Sequence, residues 1–275
     1  MSSLALFHLK GGVGKSTAAV HLAHLWAARG HTTLLWDLDP QASASFVLRV
    51  SPARADLARD LVRGRASVDE AVRESDHEGL DVLPADLDNA HLERWLAEQD
   101  DPSAPLRGVL EGMGRRYERV LLDCPASLSP LSEGVFGAVD ALLVPTIPTA
   151  LSLRTLASLL RHLRERRRAG LRVLPFFSMV DQRKAQHRTV REYARAHGLG
   201  FLEAEIPHAA RIESAAAQAV TGSRRAASSA PAQAFERLLD EVEARLAAGA
   251  GDDPRELRRR ELDELVDTLD ARERS

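Results

Sequence analysis

The sequence predicts an α/β protein built on a mostly parallel, twisted sheet flanked by helices on both faces, and three observations predict it. Short apolar runs alternate with helix-length segments through the first 220 residues. A glycine-rich stretch follows the first apolar run and opens the first helical pattern. No run of about 18 apolar residues breaks the alternation, so no stretch reads as a transmembrane helix.

Leu4 to Leu9 reads as the first strand and Ser16 to Arg29 as a helix carrying Val20, Leu22, Ala23, Leu25 and Trp26; Thr32 to Leu38 reads as the second strand. Further strands are expected at Leu80 to Leu83, Arg119 to Asp123, Ala141 to Val144, Val173 to Val180 and Phe201 to Ile206. Right-handed crossovers between such strands set their carboxyl ends, and any ligand, along one edge of the sheet. The main domain is expected over residues 1–247 and a short appendage over 248–275. There, Ala247 to Asp253 is a small, acidic linker, and Pro254 to Arg274 has Asp253 as a cap and an apolar stripe of Leu257, Leu262, Leu265, Val266 and Leu269. That helix either packs on its own domain or meets a partner.

Composition narrows the chemistry. A single cysteine, Cys124, excludes an intrachain disulfide and a cysteine-held cluster, and reads as a small buried residue. The start, Met1 to Lys10, lacks a basic flank and a cleavage site, so a cytoplasmic protein is expected. The net charge of −3 conceals a basic block, since residues 151 to 225 hold fifteen Arg or Lys against six Asp or Glu. Only three lysines occur beside 34 arginines, and two of them, Lys10 and Lys15, share one loop. Such pairing points to positions that need a compact ammonium rather than a planar guanidinium.

That loop reads Lys10-Gly11-Gly12-Val13-Gly14-Lys15-Ser16-Thr17. Its glycines let backbone N–H groups wrap a polyphosphate, the helix N-terminus adds its dipole, Lys15 adds a point charge and Ser16 offers a hydroxyl to magnesium. The common phosphate-loop pattern has glycine where this chain has Leu9, with a lysine at position 10. The stretch resembles the deviant Walker A motif of the ParA/MinD family of P-loop ATPases. Trp36-Asp37-Leu38-Asp39-Pro40-Gln41 resembles that family's DxDPQ segment, and Val120-Leu121-Leu122-Asp123-Cys124-Pro125 its Walker B strand. The likeness runs from about residue 3 to residue 245.

The resemblance implies ATP and Mg2+ as cofactors and a homodimer that closes on ATP. Residues 10 to 17 would hold the phosphates, with Lys15 on the β and γ groups; Lys10 would reach the partner subunit's ATP. Ser16 would ligate magnesium, Asp37 and Asp123 would act around it through water, and Asp39 would orient the attacking water rather than abstract a proton. Met179 and Pro207 would lie near the adenine. Two departures are visible: Ser178 replaces a frequent Asn, and Ala126 replaces a proline.

Partition ATPases of this family bind DNA without sequence preference through basic residues of the C-terminal half. Arg183, Lys184, Arg188, Arg191, Arg211, Arg224 and Arg225 occupy that region. Arg161, Arg164, Arg166, Arg167 and Arg168 form a second cluster, read equally as a solvated helix end. With the first strand starting by about residue 3, no helix-turn-helix extension is expected before the loop, as in the small ParA type. The resemblance thus implies a nucleoid-associated ATPase that positions a cargo, with a cargo adaptor or ParB-like activator as partner and weak turnover without it. The rivals are a MinD-like membrane-positioning ATPase, disfavoured by the balanced charge of the tail and its lack of aromatics, and a metabolic P-loop enzyme of related fold.

Overall fold

The computed structural model describes residues 1–166, 171–208 and 230–247. Their elements, in chain order, are β1 (Ser2–Leu6), α1 (Lys15–Ala28), β2 (Thr33–Asp37), α2 (Ser43–Val47), α3 (Leu57–Val62), α4 (Val68–Ala71), β3 (Arg73–Glu74) and β4 (Leu80–Leu83). Next come α5 (Ala90–Ala97), α6 (Ser103–Met113), β5 (Arg119–Asp123), α7 (Pro130–Phe136), β6 (Ala141–Thr146), α8 (Ala150–Glu165), β7 (Arg172–Val180), α9 (Ala185–Ala196), β8 (Glu205–Pro207) and α10 (Ala230–Ala247).

The strands form one eight-stranded sheet in the order β3-β4-β2-β5-β1-β6-β7-β8. Every pairing is parallel except β3 with β4 at the edge. Side chains alternate between its two faces with the strand period. Ala5, Leu34, Trp36, Val120 and Leu122 enter a core that also holds Leu57 of α3, Leu92 of α5, Leu106 of α6, Leu131 of α7, Leu153 of α8 and Val190 of α9. Leu4, Leu6, Leu35 and Leu121 enter the opposite core, with Leu22 and Trp26 of α1 and Phe235 and Leu238 of α10. Burial on both faces explains why these strands read as continuous apolar runs.

Caps set several helix starts: Ser67 accepts the Glu70 N–H before α4, Ser129 the Ser132 N–H before α7, and Thr149 the Ser152 N–H before α8. Helix α10 is tied down at several points. Glu243 accepts from the Trp26 indole at 2.8 Å, Arg29 pairs with Asp240 and Glu243, and Arg172 donates to the Arg245 and Leu246 carbonyls.

Most expected strand boundaries fall within two residues of those found, and two differ by more. The first strand ends at Leu6 rather than Leu9, because the chain turns into the loop once Phe7 has donated to the Leu143 carbonyl. The last strand covers Glu205–Pro207 rather than Phe201 to Ile206, because the Glu241 carboxylate of α10 takes the N–H groups of Glu203 and Ala204. The expected appendage over 248–275 lies outside the described residues.

Candidate nucleotide site

Strand β1 lies between β5 and β6, so residues 10 to 17 emerge at the centre of the sheet's carboxyl edge. Gly12 and Gly14 hold φ of 70° and 92°, the left-handed region that favours glycine. Gly14 has a second constraint, since a Cβ there would lie 3.1 Å from the Ser178 Oγ. Val13 is fully buried and anchors the loop, whereas Gly11 and Gly12 are exposed.

Helix α1 begins at Lys15 with no side-chain cap and no acidic residue in its first turn. Its first intrahelical bond runs from Ala18 N–H to the Gly14 carbonyl, so the preceding N–H groups and the helix dipole face the loop. Lys15 is only 7% exposed, and Ser16 and Thr17 are half-buried beside it. The arrangement is a cradle for an anionic polyphosphate.

Asp37 and Asp123 end β2 and β5 opposite one another in register. Asp37 is satisfied by the protein: Oδ2 accepts from the Ser45 N–H at 2.8 Å and the Ser45 hydroxyl at 2.7 Å, and Oδ1 accepts from the Asp39 N–H at 3.2 Å. Burial nevertheless raises its pKa. Asp123 is fully buried, and neither of its oxygens accepts a hydrogen bond of standard geometry from the described residues. Burial, and then the charge of Asp37, push it up to about 8, with the nearby Ser16 hydroxyl drawing it back.

A buried carboxylate without a donor, next to a second acid and a hydroxyl, is what a hard cation needs. Two acids and a hydroxyl suit a magnesium, which takes few protein ligands and completes its shell with phosphate and water. Asp39 lies half-buried on the loop after β2, its Oδ1 holding the Gln41 N–H at 3.0 Å. Cys124 is buried, and burial pushes its thiol up, as expected of an inert residue.

The base-side candidates come from the other half of the sheet. Met179, half-buried at the end of β7, has φ of 54°, and the β7–β8 register shifts between Phe177 and Val180. Pro207 closes β8 opposite Val180. Ser178 is the link from this side to the phosphate loop through Gly14.

The basic candidates divide. Lys184 and Arg188 are exposed, and Arg183 is 86% exposed at its side chain while holding both oxygens of Asp181, which keeps that carboxylate well below its ordinary range. Arg191 departs from the expected DNA-facing role. Its side chain is 11% exposed and ion-paired with Glu205 of β8, which Arg195 also engages, so it braces α9 to the sheet. Arg211, Arg224 and Arg225 lie outside the described residues, as do Arg167 and Arg168; Arg161, Arg164 and Arg166 are exposed.

Three features escaped the sequence reading. Ser45, which orients Asp37, carries no signal beyond its place after the DxDPQ segment. His8, fully buried, accepts the Lys10 N–H on Nδ1 at 2.9 Å. Apart from Met1, the exposed large apolar residues among the described ones are Leu87, Phe46, Leu128 and Leu151, which follow β4, β2, β5 and β6. They therefore form a row along the carboxyl edge, with Phe46 83% exposed.

A family model for an AAA domain matches residues 1–172. The chain is 35% identical over 221 residues to the chromosome partitioning protein ParA of Caulobacter vibrioides, covering 77% of this chain and 82% of that protein. It is 37% identical over 251 residues to the chromosome-partitioning ATPase Soj of Thermus thermophilus, covering 88% and 96%. Among solved structures, cobyrinic acid a,c-diamide synthase from Mycobacterium smegmatis with bound ATP analog and magnesium superposes with a TM-score of 0.75 at 24% identity, over 94% of this chain and 99% of that one. At that identity the likeness concerns the fold.

Proposed function

Because the chain belongs to the ParA/MinD family of P-loop ATPases, we propose that it is a nucleotide-switched positioning ATPase: it dimerises on ATP, binds DNA without sequence preference and partitions or positions a cargo. The observation that carries the nucleotide chemistry is the buried Asp123 carboxyl, which has no hydrogen bond of standard geometry, beside Asp37, Ser16 and the uncapped start of α1. Identity to partition proteins favours positioning over the amidation chemistry of the diamide synthase, which shares the fold.

In this reading the loop amides and Lys15 bind the phosphates, and Ser16, Asp37 and Asp123 hold Mg2+, Asp37 and Asp123 through water. Magnesium supplies charge neutralisation at the phosphates. Asp39 orients the attacking water, and Lys10 neutralises developing charge across the dimer. The apolar row of Leu87, Phe46, Leu128 and Leu151 supports an edge that a second copy covers. Exposed Arg183, Lys184 and Arg188 on the β7–α9 side support a phosphate-backbone surface. A cargo adaptor or ParB-like activator would complete water positioning, and the protein would act in the cytoplasm on the nucleoid. No described helix is long and apolar enough to cross a membrane.

The test is ATP-dependent co-sedimentation with random-sequence duplex DNA and, in parallel, with anionic liposomes. DNA binding only with ATP, lost in Lys15→Ala and retained in an Asp39→Ala protein that accumulates as dimer, is the expected result. Liposome binding in its place selects the MinD-like reading. An Asp39→Ala protein that stays monomeric with ATP contradicts the mechanism.

A further inference from the structure

The geometry points to His8 as the positioning residue for Lys10: a buried neutral imidazole whose Nδ1 holds the Lys10 backbone N–H and fixes where the phosphate loop begins. His8 lies two residues beyond β1 and is fully buried. The 2.9 Å bond from the Lys10 N–H needs a lone pair on Nδ1, so the ring carries its one proton on Nε2. Nε2 is buried without a hydrogen bond of standard geometry, and the ring lies near the backbone of Ser152 in the first turn of α8.

Several charges and contacts act on the ring. Burial is the largest influence and lowers its pKa to about 4; the Ser152 backbone and, more weakly, the Lys10 backbone oppose this, and the positive charges of Lys15 and Lys10 reinforce it. The ring is therefore neutral at neutral pH, and the acceptor is permanent. Phe7 is already pinned by its bond to the Leu143 carbonyl. With Lys10 held as well, only His8 itself and Leu9 lie between the two fixed points, while Gly11 and Gly12 beyond them are exposed with no atom near their Cβ positions. His8 thus marks the boundary between a rigid strand end and an open loop. It sets the origin from which the Lys10 side chain reaches.

This rests on the role proposed for Lys10. Removing the acceptor strands an N–H and releases the loop start, an effect on the order of tenfold in any step that needs Lys10 placed. Asn supplies an Oδ1 at the position of Nδ1 and can accept the same N–H, whereas Leu fills the space without an acceptor.

Wild type, His8→Leu and His8→Asn are compared for ATP affinity, ATP-dependent dimer formation and turnover. The expected result is that His8→Leu keeps its ATP affinity within about threefold but loses dimer formation and turnover by roughly tenfold, and that His8→Asn recovers most of both. His8→Leu matching wild type, or folded His8→Asn failing as His8→Leu does, overturns the assignment. Should His8→Leu not fold, the imidazole nitrogen spectrum of the wild-type protein decides: an unprotonated Nδ1 at neutral pH supports the assignment, and a protonated one overturns it. A wild-type protein that neither dimerises nor turns over with ATP defeats the ATPase reading instead, and the nitrogen spectrum still reports on the His8 to Lys10 bond.

Discussion

Asp37 and Asp123 stand opposite one another at the carboxyl ends of β2 and β5, yet only Asp37 is supplied with donors, by Ser45 and the Asp39 amide. Two identical side chains in register therefore have opposite effects on the nucleotide-free protein. One is held by the fold; the other, in the proposed reading, is completed by a cation.

That contrast predicts substitutions of opposite sign. Asp123→Asn should raise the stability of the nucleotide-free protein by about 1–2 kcal/mol, because folding at neutral pH no longer has to protonate a carboxyl whose pKa burial pushes up to about 8. It should also weaken magnesium-dependent ATP binding at least about tenfold. Asp37→Ala should lower stability by about 2 kcal/mol by stranding the Ser45 N–H and hydroxyl. Thermal melts with and without magnesium and ATP separate the two, and a destabilised Asp123→Asn protein would contradict the contrast.

The loop glycines differ in the same testable way. Gly12→Ala meets open space and carries only the left-handed strain of about 1 kcal/mol, whereas Gly14→Ala adds a 3.1 Å approach to the Ser178 Oγ. Gly14→Ala should therefore lose the more stability and nucleotide affinity. Adding Ser178→Ala should return part of the loss in Gly14→Ala and none in Gly12→Ala, read by urea melts and nucleotide titration.

Among the basic residues of the β7–α9 side, burial separates the proposed DNA contacts from a brace. Lys184→Ala with Arg188→Ala should weaken DNA binding and flatten its dependence on log salt by about 0.9 per lost phosphate contact, leaving the melting temperature near wild type. Arg191→Ala should instead destabilise the fold by about 2–3 kcal/mol, since Glu205 keeps only the more exposed Arg195. Equal melting temperatures for both proteins would sink the distinction.

Acid sensitivity should arise in part from His21, which stacks on Phe235 of α10 at 4.2 Å. Burial, reinforced by His24, lowers its pKa from 6.5 to about 4. Across that window the unfolded chain binds the proton first, so stability is highest above it and falls as pH drops from 6.5 toward 4. His21→Phe keeps an aromatic against Phe235 and should remove up to about 2 kcal/mol of the loss between neutral pH and pH 5. Chemical denaturation across that range checks the slope.

The parallel strands were legible because burial on both faces leaves short unbroken apolar runs, and Leu80 to Leu83 and Arg119 to Asp123 match the strands found. The two-residue β3 was not, since Arg73 and Glu74 are exposed and carry no apolar pattern. For the site, the loop and both acids were readable because their chemistry is local in sequence. What escaped depends on distance: Ser45 reaches back to Asp37, Ser178 approaches Gly14 from another strand, and Glu205 captures Arg191 from β8. Charge counting marked a basic block but could not tell a guanidinium facing solvent from one already paired.

The strand order also divides the labour of the sheet. With β1 and its loop in the middle, the acids arrive from β2 and β5 on one flank, while Met179 and Pro207 arrive from β7 and β8 on the other. The two flanks meet at the loop, where Ser178 approaches Gly14. If Met179 and Pro207 meet the base as proposed, a substitution that alters base preference can sit on one wing of the molecule without disturbing the acids on the other, and Ser178 is the position where the two wings constrain each other.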